Sequence, residues 1–249
     1  MAVVYFRFHA ELNYFLPNNK KEVKIAHLVA DRASIKDTIE SLGVPHPEVD
    51  CIQANGEYVD FSYIVQDGDD INVYPISVGS RLNPNISVRP EPLSTIRFVL
   101  DIHLGKLATS LRLLGFDTLY RNYDYGDEEL AKISSTQERI LLTRDKGLLM
   151  RGVVTHGYYM RQTNPQKQIA EVMERFSLFE LVSPFCRCIR CNGLLKSVAK
   201  ESVIEELPDS VRSLNHEFRR CEECAQVYWK GSHYDKLQQF IESVMVHET

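Results

Sequence analysis

The chain has 249 residues, a net charge of −5 at pH 7, 44% hydrophobic and 25% charged residues. This is a soluble globular profile, with room for two domains or for one domain with appendages. No apolar run reaches 18 residues, and the opening "MAVVYFRFHAEL" lacks a basic n-region, an apolar h-region and a cleavage site, so the expectation is a cytoplasmic protein without a membrane-spanning helix.

Charge is unevenly spread. Residues 1–90 carry 8 Lys and Arg against 12 Asp and Glu, whereas 91–249 carry 21 against 22. The acidity argues against general electrostatic binding of nucleic acid but leaves room for a local basic face in the second part.

In chain order, residues 1–77 hold the β-like runs "VVYFRF", "VKIAHLV", "CIQANGEYV" and "DINVYPI". Between the second and third, "SIKDTIESLG" predicts a helix over 34–43, with Ser34 as N-cap and Gly43 as its stop. Two hairpin strands, a helix and further strands make an α+β order. Residues 78–94 hold three prolines and read as a linker.

From 95 onward strands and helices alternate. "TIRFVLD" is an apolar strand ending in an acid, and "HLGKLATSLRLLG" sets Leu104, Leu107, Ala108, Leu111 and Leu114 on one helical face. A short strand "DTLY", a helix over 126–137, the strand "RILLT", a strand near 153–160 and a helix from Pro165 complete the series. Such alternation predicts an α/β domain over 95–183 with a parallel sheet. Residues 184–249 form a cysteine module and an amphipathic tail helix from about 234.

Five of the six cysteines fall between 186 and 224, which favours metal over disulfides in a chain without a secretory signal. Cys188-x-x-Cys191 and Cys221-x-x-Cys224 are separated by 29 intervening residues and offer four thiolates to a tetrahedral structural zinc. Cys186 competes with Cys188 as a ligand, but the CxxC spacing and the following Asn-Gly favour Cys188 and leave Cys186 free. Cys51 reads as buried. Around the module, Arg187, Arg190, Arg219, Arg220 and Lys230, with Tyr228 and Trp229, supply cations and stacking rings for single-stranded nucleic acid. The plain alternative is that Tyr228 and Trp229 pack over a small zinc core.

Three acidic positions fall at the carboxyl ends of strands, where open parallel sheets build their sites. Asp101 closes the first strand, Asp145 follows the third, and Asp127, Glu128 and Glu129 open the helix between them. Gathered carboxylates suit Mg²⁺ or Mn²⁺, which favour oxygen ligands. Each acid also has a structural reading: Asp101 as a helix cap, Asp145 as a solvated turn, and Asp127 with its neighbours as first-turn charges complementing the helix dipole. Lys106 and Arg112, on the polar face of the helix after Asp101, either meet phosphates or face solvent.

"FVLDIHLGKLATSLRLLGFDTLYRN", "DEELAKI" and "RILLTRDKGLLMR" together resemble the Mut7-C family, a branch of the PIN-like metal-dependent ribonucleases. The resemblance runs from about 96 to 235 and includes a zinc module of this kind. It implies a three-layer α/β/α fold, an Mg²⁺ or Mn²⁺ site and cleavage of RNA phosphodiesters, for which the expected substrate is single-stranded RNA. By position it makes Asp101, Asp127 and Asp145 the acidic site, with Glu128 or Glu129 a further member and Thr143 and Arg144 beside it. Many PIN-like nucleases carry a fourth acid; Asp117 and Asp124 are candidates here without motif support. "YWKGSH" also fits the family pattern, and its His233 either assists at phosphate or caps a turn. Residues 1–77 resemble the ubiquitin-like β-grasp domain found in front of these ribonucleases. That domain runs on into the linker without a free Gly-Gly terminus, which disfavours a sulfur-carrier role and leaves docking of a protein partner or positioning of substrate.

The expected architecture is therefore an α+β β-grasp domain (1–77), a linker (78–94), an α/β PIN-like domain (95–183) and a zinc ribbon with a C-terminal helix (184–249). The leading function is a metal-dependent ribonuclease. The alternative is a non-catalytic RNA-binding or scaffold module with a degenerate acidic site. A haloacid dehalogenase-type phosphatase is set aside, because Asp101-Ile102-His103 replaces its D-x-D pair.

Overall fold

The computed structural model describes residues 1–30, 32–82, 86–123, 126–213 and 217–246, without the side chains of residues 80, 81, 232 and 233. It divides into two compact units, Met1–Thr95 with Tyr125–Tyr159, and Ile96–Asp124 with Met160–Thr249. No helix among the described residues is long and apolar enough to cross a membrane.

The first unit opens with strands β1 (Ala2–Phe8) and β2 (Ile25–Val29), then helix α1 (Ile35–Ser41), β3 (Cys51–Ala54), β4 (Glu57–Tyr58) and β5 (Asp70–Tyr74). Their sheet has the order β2-β1-β5-β3-β4, with β1 and β5 parallel and the other pairs antiparallel. Along β1, Val4, Phe6 and Phe8 are buried, as are Ile35 and Ile39 of α1, so period-2 and period-3.6 patterns meet in one core. This is the ubiquitin-like fold. Ser34 caps α1 as expected, its Oγ accepting the Asp37 amide at 3.1 Å. The run "CIQANGEYV" is a hairpin rather than one strand: Asn55 (φ +54°) and Gly56 (φ +88°) join Ala54 to its partner Glu57. Two consecutive left-handed residues make the type I′ turn that matches strand twist.

The expected linker begins with helix. Helix α2 covers Ile76–Leu82, and 86–94 carries no regular element.

Segment 125–159 of the same unit holds α3 (Asp127–Thr136), β6 (Ile140–Thr143), α4 (Lys146–Leu149) and β7 (Gly157–Tyr159). Strands β6 and β7 are parallel, with Thr143 opposite Tyr159. The ubiquitin-like segment seals β7: a Glu48 Oε1 accepts the Tyr159 amide at 2.7 Å in buried surroundings. His46 Nε2 lies 2.8 Å from the Val154 carbonyl oxygen, and its Nδ1 lies 2.6 Å from Glu40.

The second unit contains β8 (Arg97–Leu100) and β9 (Asp117–Leu119), a parallel pair in which Arg97 faces Asp117, with α5 (Gly105–Leu113) between them in sequence. The five helix-face residues named above are all buried. Helix α6 (Pro165–Arg175) packs on α5 and starts at Asn164, whose Oδ1 accepts the amides of Gln166 and Lys167. Strand–helix alternation has thus produced parallel strands with helices, as expected for α/β architecture. The unit ends in a three-stranded antiparallel sheet of β10 (Leu195–Val198), β11 (Phe218–Cys221) and β12 (Val227–Trp229), then α8 (Ser232–Met245). The interval between the cysteine pairs also contains a short helix, α7 (Asp209–Arg212), and two 3-10 turns. It supplies Val203, Leu207 and Val211 to a small core with Phe218 and Val227.

Candidate functional site

Two turns of the same construction carry the cysteines. In the first, Cys188 N donates to Gly193 O at 2.8 Å and Asn192 N to Cys188 O at 2.9 Å; in the second, Cys221 N donates to Gln226 O at 3.0 Å and Ala225 N to Cys221 O at 3.1 Å. The residue after each second cysteine is left-handed, Asn192 at φ +78° and Ala225 at φ +58°. Gly193 is required by close approach, since a Cβ there would lie 2.9 Å from Cys221 Sγ and 2.5 Å from Glu223 Cγ.

These turns bring the four sulfurs within 4.8 Å of one another, with 3.6 Å between Cys188 and Cys224 and 3.4 Å between Cys191 and Cys221. A tetrahedron of thiolates about 2.3 Å from a zinc ion has edges of roughly 3.8 Å, so the set fits such a metal. Cys186 stands outside it, its Sγ 3.8 Å from the Gly115 carbonyl. Burial opposes ionisation of Cys188, yet the Tyr228 hydroxyl and the turn's own donors bring its thiol down to about 7. Cys191 is pushed up to about 12, by burial first and then by its sulfur neighbours. One thiolate is thus favoured and the next resisted. A divalent cation at the centre removes that resistance.

The first turn is tied to β9 by polar side chains. Asn192 Oδ1 accepts Thr118 N at 2.8 Å, and Asn192 Nδ2 donates to Asp117 Oδ1 at 2.9 Å. Arg187 donates to the carbonyls of Gly115 and Asn192 and lies 3.5 Å from Asp117 Oδ2. Asp117, a candidate fourth acid, is therefore occupied in holding this turn; Asp124 lies outside the described residues.

Arg112 overturns an expectation. It is 3% exposed, and its guanidinium donates to the carbonyls of Thr118, Tyr120, Ile189 and Arg190 at 3.0 to 3.2 Å. Its burial keeps it from a phosphate, and four of its five N–H donors are taken by these carbonyls. Several other expected nucleic-acid residues are also engaged. Arg219 donates to Phe185 O, Arg220 pairs with Glu206, and Lys230 pairs with Glu217 at 2.9 Å. Tyr228 bonds to a cysteine sulfur at 3.1 Å, and Trp229 packs against the ribbon core. Lys106 and Arg190 are exposed. The side chain of His233 lies outside the described residues.

The acids occupy helix starts. Asp101, 8% exposed, accepts the His103 amide at 3.1 Å and caps a 3-10 turn. Asp145 is exposed; its Oδ1 accepts the amides of Gly147 at 2.6 Å and Leu148 at 3.2 Å, capping α4. Among the described residues nothing donates a hydrogen bond to its Oδ2. Thr143, fully buried at the end of β6, accepts the Asp145 amide through its Oγ1 at 2.9 Å and fixes the corner. Asp127, Glu128 and Glu129 are exposed in the first turn of α3, where the helix dipole favours them, and Asp127 lies 3.9 Å from Arg151. Asp127 and Asp145 belong to the first compact unit and Asp101 to the second.

Two rings that no sequence motif marks pack together in the same unit as Asp145. Tyr159, paired with Thr143 across the sheet, packs against Tyr14, with ring centroids 5.6 Å apart. The signal available was the "GYY" run at a strand end, but nothing local linked it to Tyr14.

Comparison with protein families gives two matches: the model for the Mut7-C RNAse domain over residues 96–241 and that for the Mut7-C ubiquitin domain over residues 1–81. Neither a curated protein nor a solved structure matches the chain. With the ribonuclease-domain model covering more than half of its length behind a ubiquitin-like segment, the chain belongs to the Mut7-C family.

Proposed function

We propose that the protein is a metal-dependent ribonuclease that hydrolyses phosphodiester bonds of single-stranded RNA, with a separate structural zinc. The observation that carries the reading is the ribonuclease-domain match, which spans Asp101, Asp127, Asp145 and the four cysteines. Asp145 supports it chemically. One carboxylate oxygen is committed to capping while the other remains available to a cation, and Asp127 and Glu128 are exposed carboxylates of the same unit. Oxygen donors of this kind suit Mg²⁺ or Mn²⁺, and a bound ion of that type lowers the pKa of a water and offsets charge at phosphorus. Asp101 is the further ligand expected from the sequence. Arg144 supplies a cation for the phosphate backbone, and Thr143 orients Asp145 by accepting its amide.

Four cysteine ligands leave zinc no open position, so its role is to fold the ribbon. The competing reading, a non-catalytic RNA-binding scaffold, draws on the caps: Asp101 and Asp145 both have structural roles that require no metal. Asparagine separates the two readings, because it caps as well as aspartate but lacks the charge. Labelled single-stranded RNA incubated with Mn²⁺ is cut by wild type and not by Asp145→Asn if the nuclease reading holds. Binding without metal-dependent cleavage selects the scaffold.

A further inference from the structure

After β1, the ubiquitin-like segment makes a 3-10 turn over Ala10–Phe15. At its end Tyr14 lies against Tyr159, with centroids 5.6 Å apart and planes at 49°, and against Phe15 at 5.7 Å edge-on. Phe15 packs edge-on against Tyr159 at 5.3 Å. The three differ in exposure: Phe15 and Tyr159 are buried at 4% and 9%, while Tyr14 remains 47% exposed. An aromatic ring with half its surface in water is thus held in place by two buried ones.

A cation contacts this ring group directly. Lys146 Nζ lies 5.9 Å from the Phe15 centroid and donates to the Phe15 carbonyl at 3.3 Å. Burial chiefly, then Tyr14, raises the Tyr159 phenol pKa; Arg144 pulls it down and Asp145 pushes it up. Both members of the Arg144–Asp145 corner therefore act on this hydroxyl. All these groups belong to one compact unit.

An exposed ring packed on two buried ones, with the Lys146 ammonium against one of them, offers what single-stranded nucleic acid needs: a ring for a base and a cation for the backbone. We infer that Tyr14 of the ubiquitin-like segment stacks a base of the RNA strand that lies at Asp145, making that segment part of the substrate surface. The inference rests on the ribonuclease reading above. It gives the N-terminal domain a role in holding RNA.

The test uses the full chain and a labelled single-stranded RNA, with binding read in the Asp145→Asn background and cleavage with Asp145 intact. Loss of one base stack weakens binding roughly 5- to 150-fold. That loss is expected for Tyr14→Leu, which keeps apolar packing without a π-face, while Tyr14→Phe stays close to wild type. A scan of single abasic positions through the RNA, with Tyr14 unaltered, is expected to show one position with a loss of the same size. Equal binding by Tyr14→Leu, or a flat abasic scan, in a protein that still cleaves RNA overturns the inference and leaves the ribonuclease reading standing. A wild-type protein that neither binds nor cleaves RNA overturns that reading, and the role of Tyr14 with it.

Discussion

Asn192 Oδ1 accepts the main-chain N–H of Thr118 at 2.8 Å across 74 residues of sequence. The residue after the second cysteine of the first turn thus docks the cysteine module on β9. Thr118 is fully buried, so its N–H has no water to turn to. Asn192→Ala is expected to cost about 1–3 kcal/mol for the unsatisfied donor. Asn192→Gly is expected to cost about 1 kcal/mol less than Asn192→Ala, because position 192 is left-handed at φ +78° and glycine relieves the Cβ strain that asparagine and alanine share. Urea denaturation of the three proteins measures both terms; equal stabilities would remove the docking role.

Arg112 provides a second tie and a charge. A zinc ion with four thiolates carries a net double negative charge, and Arg112 feels Cys191 and Cys188 as stabilising neighbours even as burial opposes its own ionisation. Arg112→Met should destabilise the chain by several kcal/mol, since it removes a buried cation and leaves carbonyls unpaired. RNA affinity of the folded variant should be unchanged. Arg190→Ala, at an exposed cation, should weaken RNA binding without loss of stability. Thermal melting and anisotropy titration at fixed salt distinguish the two.

Metal content tests the cysteine set directly. Elemental analysis of the purified chain should give one zinc, retained by Cys186→Ser and lost by Cys188→Ser. Loss of the ion should unfold the ribbon, because among the described residues its own apolar core has five buried side chains. Retention of zinc by Cys188→Ser would put Cys186 in the ligand set.

Cys51 is buried, and its thiol is pushed up to about 11 by burial first and then by Asp50. A raised thiol pKa means less thiolate below it: at pH 8 roughly one molecule in a thousand carries the reactive form. Native protein treated with an alkylating agent at pH 8 should leave Cys51 unmodified by mass spectrometry, and denaturant should expose it.

What the sequence carries is uneven, for physical reasons. The four-cysteine group was legible because the short turns that bring its sulfurs together fix the spacing of each pair. Helix α1 was legible because its cap, Ser34, and its stop, Gly43, are local. The face of α5 was legible for its leucines and misleading for Arg112: helical periodicity places Arg112 on the polar side, but β9 and the first cysteine turn cover that side, and both are distant in sequence. The Glu48–Tyr159 bond, spanning 111 residues, leaves no local trace either. Asp101 and Asp145 were ambiguous because a carboxylate at a strand-to-helix corner serves equally as cap and as metal ligand.

That ambiguity is resolved by one comparison. Wild type, Asp145→Asn and Asp101→Asn are assayed on labelled single-stranded RNA with Mn²⁺, with melting temperature recorded for each. The account predicts metal-dependent cleavage by wild type, and no cleavage by either variant at an unchanged melting temperature, since asparagine preserves both caps. Full cleavage by both variants would contradict it.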